Sequence, residues 1–259
     1  MINLIPGLLV VSISVLVAVA GLVLVQRLVP PTTRKRHNDV AGFIYAVVGV
    51  SYAVLLGLVI IAVWEDFAEA RDDADREASE LAEVFWLAHQ LPEAEGVHIQ
   101  EQARSYAEVV VEEEWPLMKE EGQASPRAWE LLDEIRQSLQ DLEVSTAADE
   151  VLYQQGLQRV HDVNDARRSR LLDAEEGIPA IMWVVLVVGG VIVVGFTYLF
   201  GMDSSLVHTL MVAAVAGVIA LALFTVATLD YPFGSGVQVG PDAFELILWR
   251  FENSSLSDL

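Results

Sequence analysis

Two tyrosines and two glycines in an apolar stretch are the first candidates for chemistry in this sequence. Gly42, Tyr45, Gly49 and Tyr52 are spaced so that they share one face of a helix. Phenol hydroxyls on such a face can replace part of the water shell of an ion, which makes the face a candidate pore wall. The alternative is a close helix contact, with the tyrosines filling the groove of a neighbouring helix. Small residues are common at helix contacts, so the spacing favours packing over a pore.

A second polar stripe lies in the last long apolar stretch. Thr225 and Thr228 fall on the same helical face as Ala214 and Gly217, and the stripe becomes more polar towards Asp230. Its hydroxyls are a further candidate pore lining. A threonine in a helix can instead donate to a carbonyl one turn earlier, which leaves no hydroxyl proton for an ion. The packing interpretation is favoured here as well.

Signatures of enzymes and metal sites are missing from the chain. There is no phosphate-binding glycine loop before a helix, no His-Glu-x-x-His and no Gly-x-Ser-x-Gly. The five histidines are scattered, and the absence of cysteine excludes disulfides and thiolate metal ligands. The glutamates at 112–114 and 120–121 could gather a divalent cation, but acidic runs are more often solvated faces. We expect no enzyme activity, no catalytic residue, no cofactor and no metal site.

The composition is that of an integral membrane protein with one acidic segment. The 259 residues are 54% hydrophobic and have a mean hydropathy of +0.44, above the usual range of soluble proteins. The formal charge is −22, and residues 65–178 hold 30 acidic against 10 basic side chains. Such a segment repels nucleic acid and attracts inorganic cations without selecting one. We expect membrane lipid as a partner, possible inorganic ions and no nucleic acid.

Four apolar stretches are long enough to cross a bilayer: 4–25, 43–64, 181–200 and 206–229. None contains a charged residue at mid-depth, where ionisable groups mark proton relays and many ion-coupled transporters. Their absence argues against a proton-driven carrier and leaves a passive pore or a membrane anchor. Small residues in the third and fourth stretches, including Gly189, Gly190 and Gly217, favour close helix contacts in lipid.

The second stretch is predicted to continue into water as one helix up to Leu91. From Glu65 the sequence is charged, yet no Gly or Pro follows before Pro92. An apolar stripe with a seven-residue repeat runs along this continuation, as in coiled coils and helical bundles. The stripe is a candidate seam, either within the bundle or between subunits, and consists of Phe67, Ala74, Leu81, Phe85 and Ala88.

Three further helices are predicted before the third stretch. One covers about 95–114 and stops at Trp115-Pro116, one begins with Ser125 as N-cap and Pro126, and one begins near Ser145 or Thr146. The predicted fold is therefore an all-α membrane protein with four transmembrane helices. An acidic four-helix bundle is inserted between the second and third. The predicted domains are 1–64, 65–178, 179–229 and a C-terminal part, 230–259. This last part is predicted to contain a turn, a short extended piece at 237–239, a short interfacial or docking helix that begins at Pro241, and a disordered end from Asn253.

Basic residues between the first two spans set the predicted sidedness. The loop 27–39 carries Arg27, Arg34, Lys35 and Arg36, which the positive-inside rule places in the cytoplasm. The acidic bundle would then lie outside the cytoplasm, with the protein as a multi-pass protein of the plasma (inner) membrane. Three arginines before the third span, Arg167, Arg168 and Arg170, conflict with this, but long segments translocate largely regardless of charge.

Several motifs of the chain resemble those of the bestrophin-like membrane proteins grouped under the domain of unknown function 4239. The resemblance lies in His37-Asn38-Asp39, in segments 49–56, 64–70 and 77–81, and in the 229–236 turn after the last span. It implies four spanning helices and, by analogy with bestrophins, an oligomeric anion channel. An aromatic-lined neck and an acidic calcium clasp, as found in bestrophins, are not evident in this sequence.

Two functions are consistent with these features. The first is a homo-oligomeric, passive ion channel with an apolar, hydroxyl-lined path, because four spans of one chain cannot easily enclose a pore. The second is a membrane-anchored sensor or assembly scaffold whose acidic bundle binds a partner or ions. Ion flux through the purified protein in liposomes would distinguish the two.

Overall fold

The computed structural model describes residues 4–30, 34–35, 38–175, 177–234 and 236–254. In chain order its helices are α1 Leu4–Leu28, α2 Asn38–Ala88, α3 Glu93–Val109, a π-helical turn Val110–Glu114, α4 Trp115–Glu121, α5 Pro126–Gln140, α6 Ala147–Glu175, α7 Ala180–Thr197, α8 Ser205–Leu229 and α9 Asp242–Ser254. Within these described ranges there is no β-strand. The predicted basic-loop positions 31–33 and 36–37, and the chain end 255–259, lie outside them.

The helices belong to two compact units. The span unit comprises Met1–Glu65 and Gly177–Asp230, and the bundle unit comprises Asp66–Glu176 and Tyr231–Leu259. In the part of the chain that the structure describes, four helices are long and apolar enough to cross a membrane: Ile5–Leu28, Asn38–Ala88, Ala180–Thr197 and Ser205–Leu229. The prediction of four apolar spans in an all-helical chain is confirmed. The second span and the first bundle helix are one unbroken helix, α2, of 51 residues.

Glycines allow α1 to approach its neighbours closely in the span unit. A Cβ added at Gly7 would lie 2.7 Å from the Phe224 ring, and one at Gly21 would lie 2.9 Å from the Tyr198 hydroxyl. Ala18 and Leu22 pack with Val212 and Ala216 in the contact between α1 and α8. Small residues at the interface therefore replace the hydrophobic drive that is absent between helices in lipid.

The loop after α1 packs against the link between α7 and α8. Arg34 is buried, and its Nη1 donates to the carbonyls of Tyr198 and Phe200, both at 3.3 Å. Lys35 pairs with Asp203, and the Asn38 amide both donates to and accepts from the Gly201 backbone. Both carbonyls follow Thr197, the last residue of α7, so the guanidinium gives them a partner that the helix does not supply. The two loops therefore lie at the same end of the span unit.

The bundle unit buries the predicted seam in its own core. Ala74, Leu81, Phe85 and Ala88 are at most 4% exposed, and the partly buried Phe67 packs against the same cluster. The α5 face is also buried as its spacing predicts, through Ala128, Leu131, Ile135 and Leu139. The amphipathic pattern of each helix thus selects the face that enters one shared core.

The predicted helix end at Trp115-Pro116 is wrong. The chain continues as a π-helical turn, Val110–Glu114, and then as α4, in which Pro116 occupies the first turn. The Trp115 N–H bonds to the Val110 carbonyl, five residues earlier. Proline clashes with the carbonyl four residues before it and has no N–H, and the wider π turn accommodates both effects. This turn also directs Glu114 into the core, where it is fully buried.

The helix starts expected at Ser125 and near Thr146 occur, but their capping bonds differ. Ser125 precedes α5 in extended conformation without a capping bond from its side chain; its N–H instead donates to Glu114 Oε2 at 2.8 Å. At α6, Asp149 Oδ2 accepts the N–H of Thr146, and Thr146 Oγ1 accepts the N–H of Asp149. This reciprocal pair follows the logic of a capping box and accounts for the start of α6.

The C-terminal segment docks onto the bundle unit. Phe244, Ile247 and Phe251 of α9 are at most 5% exposed and belong to its core, which agrees with the docking interpretation of this helix. The segment predicted to be extended, 237–239, is irregular and not a strand. The disordered end was predicted to include Asn253 and Ser254, but the last turn of α9 contains both.

Candidate functional site

One side of the second span packs against α7 through its tyrosines. The Tyr52 hydroxyl donates to the Leu186 carbonyl at 3.0 Å, and its ring lies against Gly189 and Gly190. Tyr45 contacts the rings of Phe196 and Phe200, with centroids 6.1 and 5.7 Å apart. Within this chain both tyrosines therefore take part in helix packing, the alternative that the sequence favoured. A Cβ added at Gly42 would lie 4.0 Å from the Phe200 ring, whereas one added at Gly49 would meet nothing within 4 Å.

The hydroxyls of the threonine stripe bond within their own helix. Thr225 Oγ1 donates to the Leu221 carbonyl at 3.0 Å, and Thr228 Oγ1 donates to the Thr225 carbonyl at 2.9 Å. Their protons are therefore already used inside α8. The structure does not bring this stripe together with Tyr45 or Tyr52 through any described contact.

We expect Gly189→Val to push the second and third spans apart. A Cβ at this position would lie 2.7 Å from the Tyr52 ring, too close for any real contact, so the ring or the helix has to move. Overpacking of this kind costs about 1–3 kcal/mol.

The thermal unfolding midpoint of the full-length Gly189→Val variant in detergent should fall. Adding Tyr52→Ala to this variant should restore part of the lost stability. Gly195→Val on the same helix is the control, because no atom lies within 4 Å of its added Cβ. Equal midpoints for the two variants would contradict the packing role of Tyr52.

Two other faces of the second span have little or no cover from the described residues of this chain. One of these faces carries large apolar residues that recur every three or four positions and are each 55–65% exposed. They are Val47, Val50, Val54, Leu58 and Ile61. Beside them runs a face of small residues: Gly42, Ala46, Gly49, Ala53 and Gly57. Ala46 and Ala53 are exposed, and a Cβ added at Gly49 or Gly57 would meet nothing within 4 Å. The helix thus has a packed face, an open small-residue face and an open large-residue face.

The bundle unit contains a buried ion-pair network that the sequence did not indicate. Glu77, Tyr106, Glu114, Arg167 and Arg170 are each 0% exposed. They come from α2, α3, the π turn and α6. Because two carboxylates face two guanidinium groups, the formal charges of the network cancel.

Bidentate contacts hold the network together. Arg167 donates to both oxygens of Glu114, at 2.5 and 2.8 Å. Arg170 donates from Nε and Nη2 to both oxygens of Glu77, at 2.6 and 3.0 Å, and from Nη2 to Glu114 at 2.7 Å. Tyr106 donates to Glu77 at 2.6 Å and accepts from Arg167 at 3.1 Å. Paired guanidinium forks of this geometry are the strong form of charge-assisted bond.

Aromatic rings surround both arginines. The Arg167 guanidinium carbon lies 4.5 Å from the Trp129 ring centroid, and that of Arg170 lies 4.8 Å from that of Trp115. Burial alone would lower the pKa of the Arg170 guanidinium, but the Glu77 and Glu114 carboxylates outweigh burial and raise that pKa. Burial, reinforced by the Glu77 charge, also raises the pKa of the Tyr106 phenol well above its usual value. Near neutral pH both arginines are therefore protonated and the Tyr106 phenol is neutral.

The bundle unit should lose stability in alkali through Tyr106. The phenol pKa is raised in the folded state, so its contribution is complete below the unfolded pKa of about 10. This contribution decreases as pH rises from the unfolded pKa towards the folded pKa, by about 1.4 kcal/mol per pH unit.

Tyr106→Phe should lower the free energy of unfolding at neutral pH and reduce the slope of that free energy against pH in alkali. Urea titrations of the full chain between pH 8 and 11 would measure both. Tyr231→Phe, at an exposed tyrosine of the same unit, should keep the slope. Identical slopes for Tyr106→Phe and the unmodified chain would contradict this role.

Sequence patterns around the network carried only a weak signal. The spacing of Arg167 and Arg170 places them on one face of a helix, with the exposed Arg168 between them. We interpreted all three as sidedness signals and the glutamates at 112–114 as a solvated run. Which arginine meets which glutamate depends on contacts 53 to 93 residues apart along the chain. Among the described residues there is no group of three His, Asp or Glu side chains that could hold a metal ion.

Comparison with known proteins identifies the family. The model of the bestrophin-like domain matches residues 12–244, nearly the whole chain. The chain belongs to the bestrophin-like family. None of the curated proteins compared with it matches.

Solved structures share the bestrophin fold with this chain. A crystal structure of a single-residue variant of a bacterial bestrophin homologue from Klebsiella pneumoniae has a TM-score of 0.73 at 11% identity, covering 95% of this chain and 98% of the homologue. Another structure of that homologue has a TM-score of 0.72 at 12% identity, covering 93% and 97%. A variant described only as a membrane protein has a TM-score of 0.72 at 11% identity, covering 94% and 97%. These likenesses establish the fold.

In the bestrophin-like turn after the last span, Asp230 bonds to residues on both sides of the α7 N-terminus. Asp230 is buried, and its Oδ1 accepts the Ile178 N–H at 2.6 Å while its Oδ2 accepts Trp183 Nε1 at 3.1 Å. Ile178 lies just before α7, and Trp183 lies in its first turn. Asp230, directly after α8, therefore ties the chain entering α7 and one side chain of α7 to the end of α8. At the opposite end of the span unit Asn38, another residue of the resemblance, clamps Gly201.

Proposed function

We propose that this bestrophin-like protein is a homo-oligomeric, passive ion channel in which each subunit contributes its second span to the pathway. The observation that carries the proposal is the second span itself. One face packs on α7, while the small-residue face and the large apolar face are open within the chain. Small residues allow a helix of another subunit to approach closely. The adjacent large apolar face would then line the central axis.

The proposed lining is the stripe Val47, Val50, Val54, Leu58 and Ile61. Rings of such side chains form an apolar constriction, which can gate ions by excluding water. Tyr45 and Tyr52 lie on the opposite side of the helix and keep their packing role. The absence of charged residues at mid-depth agrees with passive conduction. The family resemblance implies an anion as the permeating ion.

Reconstitution of the full chain tests the proposal. The purified protein should have the mass of a closed oligomer in detergent. In liposomes it should dissipate a chloride gradient, and potassium gradients measured in parallel report the ion preference. A monomer, or an oligomer that gives no flux of either ion at any tested voltage or pH, would overturn the channel proposal. An oligomer without ion flux would instead favour the membrane-anchored sensor or assembly scaffold.

We also propose that the loop 27–39 faces the cytoplasm and the acidic bundle faces outward. The positive-inside count supports this, although several of the charges counted have partners. Arg34 and Lys35 bond within the span unit, and Arg167 and Arg170 belong to the network.

Single-cysteine labelling decides the sidedness, because the chain has no cysteine of its own. In intact cells a membrane-impermeant maleimide should label Ser145→Cys in the bundle. Asp203→Cys, which is 92% exposed beside Lys35, should react only after permeabilisation. The reverse pattern would place the bundle in the cytoplasm.

A further inference from the structure

The C-terminal segment 236–251 covers one side of the ion-pair network. Its inward side chains, Val239, Phe244, Ile247 and Phe251, are at most 6% exposed. Phe251 stacks on Phe85 of α2 with ring centroids 3.9 Å apart. The segment is thus part of the core of the bundle unit, whose other members are Phe233 and residues between 66 and 176.

Two rings, one from this segment, exclude water from Arg170. Its guanidinium carbon lies 4.8 Å from the Trp115 ring centroid and 5.9 Å from that of Phe244, and the two rings are 5.7 Å apart. Trp115 Nε1 donates to the Val239 carbonyl at 3.1 Å, which joins the ring to the segment. Phe244 is the member of this pair that would leave with the C-terminal helix.

Docking of the segment therefore has two opposing effects on free energy. Burial of its aromatic and aliphatic face favours the docked state. The same burial keeps the guanidinium of Arg170, which pairs with Glu77 and Glu114, out of water, and desolvation of a paired charge opposes docking. When the segment is released, water hydrates the charged groups and part of the desolvation free energy is recovered. A segment with an apolar face of the same area would dock more tightly onto a core that contains no charged groups.

We propose that segment 236–251 is a releasable cover of the ion-pair network. Docked, it keeps Arg170 and Glu114 dry and fixes the π turn against α6. Released, it admits water to the network and loosens these two elements. Gly236 and Gly240 supply the backbone freedom needed between the turn at 231–234 and α9. The proposal does not depend on ion conduction.

Hydrogen exchange on the full chain in detergent tests the cover. Phe244→Asp should prevent docking, and backbone amides at 108–120 and 164–172 should then exchange at least tenfold faster than in the unmodified chain. Trp249→Asp is the matched control on the same helix, because Trp249 is 61% exposed; its exchange at the network should stay unchanged. Faster exchange confined to 242–254 would overturn the proposal, since the network would then stay protected without its cover.

A second experiment avoids any folding defect of that variant. A protease site inserted directly after Gly236, which leaves Val239 and its bond to Trp115 in place, allows the cover to be cut after the protein has folded. The cut segment should dissociate on dilution, and exchange at the network should rise by the same factor. A cut segment that stays bound, or one that leaves a protected network, would overturn the proposal.

Discussion

Arg170→Met should cause the largest loss of stability among single substitutions in the bundle unit. The variant would leave Glu77 without its bidentate partner and would give the network an uncompensated buried negative charge. Breaking a buried pair by removing one member typically costs about 3–5 kcal/mol. We expect the apparent free energy of unfolding, from urea titration of the full chain followed by circular dichroism, to fall by about this amount.

The chain supplies a close control in Arg168→Met. Arg168 lies on the same helix two residues away but is exposed, so its loss should change stability little. A double variant, Glu77→Leu with Arg170→Met, should regain part of the loss, because apolar replacement of both members removes the unpaired charge. Equal effects of Arg170→Met and Arg168→Met would show that the network contributes no net stability.

Leu58→Ser should raise ion flux at least tenfold if the exposed face of the second span lines the pathway. Leu58 is 63% exposed in the single chain and lies on the large apolar stripe. A hydroxyl at an apolar constriction makes the entry of water and ions less unfavourable, and each tenfold change in rate corresponds to about 1.4 kcal/mol of barrier. The measurement is the initial rate of chloride efflux from liposomes at equal protein content.

Leu16→Ser on the first span is the matched substitution. Leu16 is 68% exposed, so it has the same chemistry and similar exposure but lies on a helix that is not proposed to line the path. Its flux should equal that of the unmodified chain. If both serine variants conduct equally, or if neither differs from the unmodified chain, the lining assigned to Val54, Leu58 and Ile61 would be wrong.

The sequence was most informative where one helix alone decided the outcome. The four spans, the unbroken passage of α2 beyond Trp64 and the buried face of α5 follow from local composition and spacing. It misplaced the end of the helix at Trp115-Pro116, because a proline usually stops a helix and the π turn that accommodates it is rare. Local pattern also left Tyr52 undecided, since a phenol on a small-residue face suits both a pore and a packed groove.

By itself, the sequence therefore determined the class of the protein and the order of its helices, because hydrophobic length and periodicity act within one segment. The tertiary structure alone decided what the polar groups do. It placed the Tyr52 hydroxyl on the Leu186 carbonyl and the Asp230 carboxylate on the Ile178 N–H and the Trp183 indole. It also joined Glu77, Glu114, Arg167 and Arg170 across as many as 93 residues. The local sequence around a charged residue predicts that it faces solvent. Its burial requires an oppositely charged partner, and here that partner comes from a helix distant in sequence.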